Sequence, residues 1–449
     1  MKKIAATPSG MTALTIVMIG QVVSILASGM TGFALSIWVF QKTNSATALG
    51  GMATAFTIPY LLLTPIAGVL VDRYNRKLMM MVSDLAAGLG TITILILFAT
   101  GKLQVWHFYI INAVIAMGGA FQWPAYSAAI TTMVPKEQYG RANGLVSLVQ
   151  TGPGVVSPLL AGALLPTIGL QGILLIDVAA MLVAISTLML VHIPNPQRTV
   201  DGQQGKGNLI KEATFGFRYI FQRRSLLGFV AILFVANFFM GFPNSVRVPM
   251  ILSRTGNDSM VLGSVQTAGS ISLVIGSLLI STWGGFKRRM FGFTLGWAAF
   301  CIFGFILFGL GRGLNVWLLA NLLGGVFIPL GSSSSQSLLQ AKVAPDVQGR
   351  VFAARRLLTW APDMFMPLAG GALADYVMEP AMQSGGWFSS TFGWMVGTGP
   401  GSGMSLMMVF SGVLCVFTVL MCYWMPAVRN MEDILPDHDQ LLKAEPEPA

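Results

Sequence analysis

Charge is what this chain has little of. Only 10% of its 449 residues are Asp, Glu, Lys or Arg, against about 25% in a soluble domain. Six stretches (4–41, 43–71, 103–135, 142–176, 259–286 and 313–341) contain none of the four. Each is longer than the roughly 20 apolar residues that cross a bilayer as a helix. Histidine and cysteine are also scarce, at three each. His107 and His192 lie near the ends of apolar runs and His438 in a polar tail, while Cys301, Cys415 and Cys422 fall inside apolar segments. No disulfide or metal-ligand spacing results, so neither a metal nor a cofactor is expected. No Asp-rich diphosphate motif and no Walker sequence occurs, which counts against a polytopic transferase and against direct use of ATP. The composition excludes a soluble enzyme, a nucleic-acid binder and a disordered chain.

What is abundant is apolar: 54% of the residues are hydrophobic and mean hydropathy is +0.70. Twelve spans fit the pattern: 11–40, 46–71, 78–99, 105–134, 142–165, 170–193, 225–252, 259–283, 290–310, 314–341, 350–377 and 403–426. The basic start, Met1-Lys2-Lys3, imitates a secretory signal, but the apolar run after it continues to Phe40, too long for a cleaved h-region. It reads as an uncleaved first helix. Ile193-Pro194-Asn195-Pro196 ends the sixth span, because proline cannot continue a helix. Leu209–Arg224 then carries apolar residues on one side with basic residues among them, the pattern of a helix lying at a membrane surface.

The expected organisation is all-α and polytopic, with twelve transmembrane helices in two six-helix bundles. Residues 1–193 form the first bundle, 194–224 a cytoplasmic linker with its surface helix, 225–428 the second bundle and 429–449 an acidic tail. With the N-terminus inside, all basic residues but Lys42, Lys102, Arg247, Arg254 and Arg312 fall on the cytoplasmic side. The positive-inside rule therefore places both termini in the cytoplasm. The halves also repeat: a constant offset pairs Gly140 with Gly349, Arg141 with Arg350, Pro153 with Pro362, Pro158 with Pro367 and Gly162 with Gly371. Both repeats start on the same side, as in transporters whose halves are related by an axis along the membrane normal.

After the second span comes Gly68-Val-Leu-Val-Asp72-Arg73-Tyr-Asn-Arg76-Lys77. An acid at a helix C-terminus opposes the macrodipole and needs a partner; anchoring at lipid headgroups explains the bases but not Asp72. At these residues the chain resembles the major facilitator superfamily, whose loop between helices two and three reads Gly-x-Leu-x-Asp-Arg-x-Gly-Arg-Lys. Asn75 stands for the loop glycine. The corresponding stretch of the second half, Trp283-Gly-Gly-Phe-Lys287-Arg288-Arg289, keeps the bases and lacks the acid. The resemblance implies that Asp72 and Arg73 help lock the cytoplasmic side shut, with Asp72 meeting the start of helix eleven near Gly349–Phe352; the expected cytoplasmic gate comprises Gly68, Asp72, Arg73, Arg76, Lys77, Asp84, Arg141, Gly349 and Arg350.

Within the superfamily the chain is similar to the macrolide-efflux branch of bacterial drug exporters. The residues that carry this are Gly20-Gln21-Val-Val-Ser24, Ser83-Asp84-Leu85, Pro124-Ala125, Val134-Pro-Lys-Glu-Gln138, Ser157-Pro158 and Ile176-Asp177-Val178. Of the antiporter element Gly-Pro-x-x-Gly-Gly in helix five only Gly152-Pro153 survives, which weakens the export direction.

Carboxylates inside a membrane are costly and mark functional positions. Four are found: Asp84, Asp177, Asp363 and Asp375. Asp84 lies about 10 Å in from Lys77 at 1.5 Å per residue, placed to pair with Arg73, Arg76 or Arg141. Asp177 is a candidate proton or substrate residue, with the outer face, Lys42 and His107 as alternative partners, and Asp375 is interfacial. Asp363 follows Pro362 deep in span eleven and is the expected proton or cation site. Gln21, Gln122, Gln150, Asn237 and Gln336 are mid-span polar residues that fit either interhelical hydrogen bonding or ligand contacts in a central cavity. The 27 Met and 28 Phe suit packing, and equally a promiscuous apolar site. The expectation is a monomeric, proton-coupled exporter of amphipathic small molecules, in contact with membrane lipids and with no nucleic-acid partner. An importer or lysolipid flippase of the same fold is the second reading, and a polytopic membrane enzyme the remote one.

Overall fold

The computed structural model describes residues 10–73, 75–134, 139–191, 193, 209–343 and 345–434. Helices make up most of the described residues, with no strand among them. The first four are α1 (Gly10–Thr43), α2 (Ala46–Arg73), α3 (Arg76–Ala99) and α4 (Val105–Met133). The next helical stretch, Tyr139–Leu190, is two helices that meet at Gly169, whose φ of 66° and ψ of −178° are not helical; its limbs are α5 and α6. A positive φ is open to glycine without a Cβ penalty, and this one residue makes the whole connection. Val149 of α5 packs in one core with Leu14 and Val17 of α1, and the Ser157 hydroxyl donates to the Leu26 carbonyl. Further along α1, Ser28 meets Asp177 of α6, while Leu188 returns to the core around Leu14. The limb α5 thus runs with α1 and α6 runs back.

The remaining elements are α7 (Leu209–Gln222), α8 (Arg224–Thr255), α9 (Ser259–Trp283), α10 (Arg289–Leu310) and α11 (Leu314–Lys342). Then come an interrupted helix, α12, from Pro345 to Met382, the short α13 (Ser389–Val396), α14 (Ser402–Trp424), and the single turns α15 (Pro426–Arg429) and α16 (Met431–Ile434). Among the described residues, ten helical stretches are long and apolar enough to cross a membrane. The α5–α6 pair counts among them once, and α12 is too broken to count. Resolving the first and restoring the second returns the twelve spans.

Side-chain exposure agrees with a lipid surround. Leu62, Leu89, Leu182 and Leu278 are each more than half exposed, a loss no water-facing surface of this extent would sustain at about 25 cal/mol per Å² of apolar area. Their helices bury the opposite faces instead.

Two compact units result: α1–α6 with Thr255–Thr267, and α7, α8 and the chain from Ala268 onward. The first has a core of Leu14, Val17, Met18, Met80, Tyr126 and Leu188. The start of α9 belongs to it because the backbones touch. A Cβ at Gly162 would lie 2.8 Å from the Ser259 carbonyl oxygen, and one at Gly263 would lie 2.5 Å from that of Pro158. Ser259 Oγ donates to the Gly162 carbonyl at 3.0 Å. Small residues permit such approach in membranes, where dispersion and hydrogen bonds hold helices together.

The second unit is centred on Phe229 and Phe293, edge to face at 5.0 Å, with Leu338, Val351, Cys422 and Met431 around them. The amphipathic helix α7 splits its apolar side: Ile220 is fully buried in this core while Phe221 is exposed. Its Gly216 lies against the Arg350 carbonyl and Ala354 of α12.

Candidate functional site

The first unit buries two carboxylates, each held by neutral donors. Gln21 Nε2 of α1 donates to Asp84 Oδ2 at 2.7 Å, and Gln122 Nε2 of α4 donates to Asp84 Oδ1 at 2.9 Å. The same Gln122 nitrogen reaches Gln21 Oε1 at 3.0 Å. Asp84 is therefore joined to two residues that the sequence placed in a separate group. The arrangement joins α1, α3 and α4, and Tyr126 is buried beside it. Seven residues further along both α1 and α3 is a second rung. Ser28 Oγ donates to Asp177 Oδ1 at 2.9 Å and Thr91 Oγ1 to Asp177 Oδ2 at 2.8 Å. Asp177 is buried at 4% exposure and takes these hydroxyls in place of Lys42, His107 or the outer face. The signal for Ser28 and Thr91 was present in the sequence only as a spacing: each stands two turns from Gln21 or Asp84 on the same helix face.

In the second unit α12 breaks where the sequence puts Pro362. The helix ends at Trp360, Ala361–Met364 form a 3₁₀ turn, and helix resumes at Met366. Pro362 and Pro367 each remove an N–H from the ladder, and Phe365 N–H donates to the Pro362 carbonyl at 3.1 Å instead. Asp363 sits on this turn, half-buried, with no hydrogen-bond or ion-pair partner among the described residues. Eight residues earlier, Arg355 Nη2 donates to Gln336 Oε1 and Nη1 to Ser335 Oγ, each at 3.3 Å, so Gln336 is tied to a cation on α12. Asn237 donates within its own helix, to the Leu233 carbonyl at 2.9 Å.

Of the gate residues, Lys77 donates to the carbonyls of Met189 and Val191 at 3.2 and 2.9 Å, tying the start of α3 to the end of α6. Arg76 is buried, and Arg350 lies exposed with its guanidinium 5.1 Å from the Phe215 ring centre. Gly68, Asp72, Arg73, Arg141 and Gly349, and Gln150 among the mid-span residues, lie outside the residues whose side chains are described.

Two charged features were not foreseen. Arg247, which the charge count puts on the outer surface, is drawn into the second unit. Its Nη2 donates to the Gly304 carbonyl at 2.9 Å and its guanidinium stands 5.0 Å from the Phe308 ring centre. Gly304 belongs to a π-helical turn, Ile302–Leu307, and such turns leave carbonyls free for outside donors. Glu379 closes the other end of α12. Its carboxylate accepts from the N–H groups of Gly401 at 3.1 Å and Met404 at 2.8 Å, at the N-terminus of α14, where an anion is favoured.

Membrane-crossing helices in two units, with carboxylates buried among neutral donors, define a multi-pass membrane protein. A match to the Major Facilitator Superfamily covers residues 17–362. The chain belongs to that superfamily and is a membrane transporter. It is 27% identical over 421 residues to a macrolide efflux protein A of Streptococcus pyogenes, across 92% of this chain and 96% of that one. It is 30% identical over 304 residues to a macrolide efflux protein A of Enterococcus faecalis, across 66% of this chain and 91% of that one. Among solved structures, the POT family transporter PepTSo shares the fold with a TM-score of 0.68 at 13% identity, over 95% of this chain and all of that one.

Proposed function

We propose that this protein is a secondary active transporter that exports amphipathic or hydrophobic compounds, macrolide-like drugs among them, across the cytoplasmic membrane by alternating access in exchange for protons. It acts as a monomer with both termini in the cytoplasm, and the loop Asp72–Lys77 closes its cytoplasmic side. The observation that carries the coupling is Asp363, a half-buried carboxylate without a described partner, on the helix break at Pro362. An intramembrane acid in that state is placed to exchange a proton. The substrate class is supported by end-to-end similarity to proteins named for macrolide efflux.

The test is accumulation of a radiolabelled macrolide in cells that express the protein, with and without a protonophore. Lower accumulation that the protonophore restores is the expected result; unchanged accumulation refutes export. An importer or lysolipid flippase is the second reading, favoured by the missing Gly-Gly of the helix-five antiporter element, where Val156-Ser157 stand instead. Higher accumulation on expression, or transbilayer movement of a labelled lysolipid, selects it.

A further inference from the structure

At one end of the second unit a cavity of about 680 Å³ opens between the start of α10 and the end of α14 with α15 and α16. Its wall carries three cations, Lys287, Arg288 and Arg429, beside Phe291 and Tyr423. Two acids also face it, but one is already engaged: Glu432 accepts from the Met290 N–H at 2.8 Å and so caps α10. Lys342 donates to the Glu432 backbone carbonyl, fixing that turn in place. Asp433 is left against three basic side chains. Among the described residues neither Lys287 nor Arg288 makes a side-chain hydrogen bond or ion pair, and Arg429 reaches only Asn430, at 3.4 Å. Three cations against two acids leave the cavity wall with a surplus of positive charge.

Its surroundings are apolar and open. Trp283, Phe286 and Phe291 form an edge-to-face chain with centroids 4.6 and 4.8 Å apart. Phe291 and Leu295 on α10, and Leu420 and Trp424 on α14, are exposed. Basic side chains at the end of membrane helices, framed by aromatic residues and continuous with lipid-exposed helix faces, match one ligand chemistry: a phosphate ester carrying acyl chains.

We propose that this cavity is a binding site for an anionic phospholipid of the cytoplasmic leaflet, its phosphate held by Lys287, Arg288 and Arg429 and its chains lying along α10 and α14. It rests on the orientation proposed above but not on the substrate or on proton coupling.

The purified full chain in mixed micelles is titrated with phosphatidylglycerol, phosphatidylcholine or inorganic phosphate, and bound lipid is counted by native mass spectrometry. One tightly retained phosphatidylglycerol is expected. The double variant Lys287→Gln/Arg288→Gln weakens it by about 30-fold, at about 1 kcal/mol per basic residue. A control with the same charge change, Arg218→Gln/Arg224→Gln, keeps it. Both pairs are compared for thermal midpoint, so that loss of binding is read on folded protein. Equal loss in the control, equal retention of phosphatidylcholine, or displacement by inorganic phosphate at matched concentration overturns the proposal. Binding that emerges only after truncation beyond Ile434 overturns it too, because the acidic tail is then the occupant.

Discussion

Asp84 and Asp177 are held two helical turns apart by the same pair of helices, α1 and α3. Gln21 and Ser28 reach them from α1, and α3 contributes Asp84 itself and Thr91. Seven residues at 1.5 Å each separate the rungs by about 10 Å. Across this distance α1, α3, α4 and α6 are pinned by side-chain hydrogen bonds in an otherwise apolar interior. The rungs therefore act first on stability: one fixes α4 and the other α6, each against α1 and α3.

Thr91→Val removes one of the hydroxyls that donate to Asp177 and is expected to destabilise the protein by about 1–3 kcal/mol, the cost of a buried acceptor left without its donor. Ser28→Ala should behave alike. Because both act through one carboxylate, the double variant should depart from additivity by more than about 0.5 kcal/mol. Unfolding in mixed micelles measures all three; strictly additive losses would mean that the hydroxyls do not share Asp177.

Asp363→Asn should abolish export driven by an imposed pH gradient in inverted vesicles while leaving equilibrium binding of a neutral macrolide within about threefold, since the amide keeps the size of the carboxyl and loses only its titration. Normal export in this variant places the coupling site elsewhere, and Asp177→Asn is then the next to test.

Gly263→Ala should cost about 1–3 kcal/mol, the usual penalty of overpacking, because its methyl would press on the Pro158 carbonyl. Gly119→Ala provides the contrast: nothing lies within 4 Å of a Cβ there, and helix propensity predicts a gain of up to about 1 kcal/mol. Thermal midpoints that move in the same direction for both would contradict the close approach of α5 and α9.

Glu379→Ala leaves the N–H groups of Gly401 and Met404 without their acceptor and should destabilise the second unit by about 1–3 kcal/mol, with faster amide exchange at Met404 as the local signature. Glu379→Gln, which keeps one acceptor oxygen, should lose less. Equal exchange at Met404 in all three proteins would show that the cap carries no stability.

The spans were legible because hydropathy is a property of consecutive residues, and 4–41 or 142–176 announce themselves without a neighbour. Span eleven reads in the sequence as one continuous helix over 350–377, although Pro362 inside it cannot donate to the helical ladder. What stayed hidden depends on which helix lies beside which. Asp84 looked like a partner for arginines near it in sequence, whereas its amides come from 63 residues before and 38 after. Arg247 looked like a surface cation because nothing local announces the carbonyl of Gly304, 57 residues on. Ser28 and Thr91 are ordinary hydroxyls until Asp177 is brought to them.

The single-residue junction at Gly169 has a bearing on how the protein can be handled and how it can move. With no slack between them, α5 and α6 form a stiff hairpin whose limbs cannot shift independently at that end, so any rearrangement must carry both as one lever. An epitope or fluorophore inserted there would tear the hairpin. The segment from Gln383 to Gly401, with its short α13 and several left-handed glycines, has the irregular backbone that accepts a tag, and it is the better place from which to watch the transporter work.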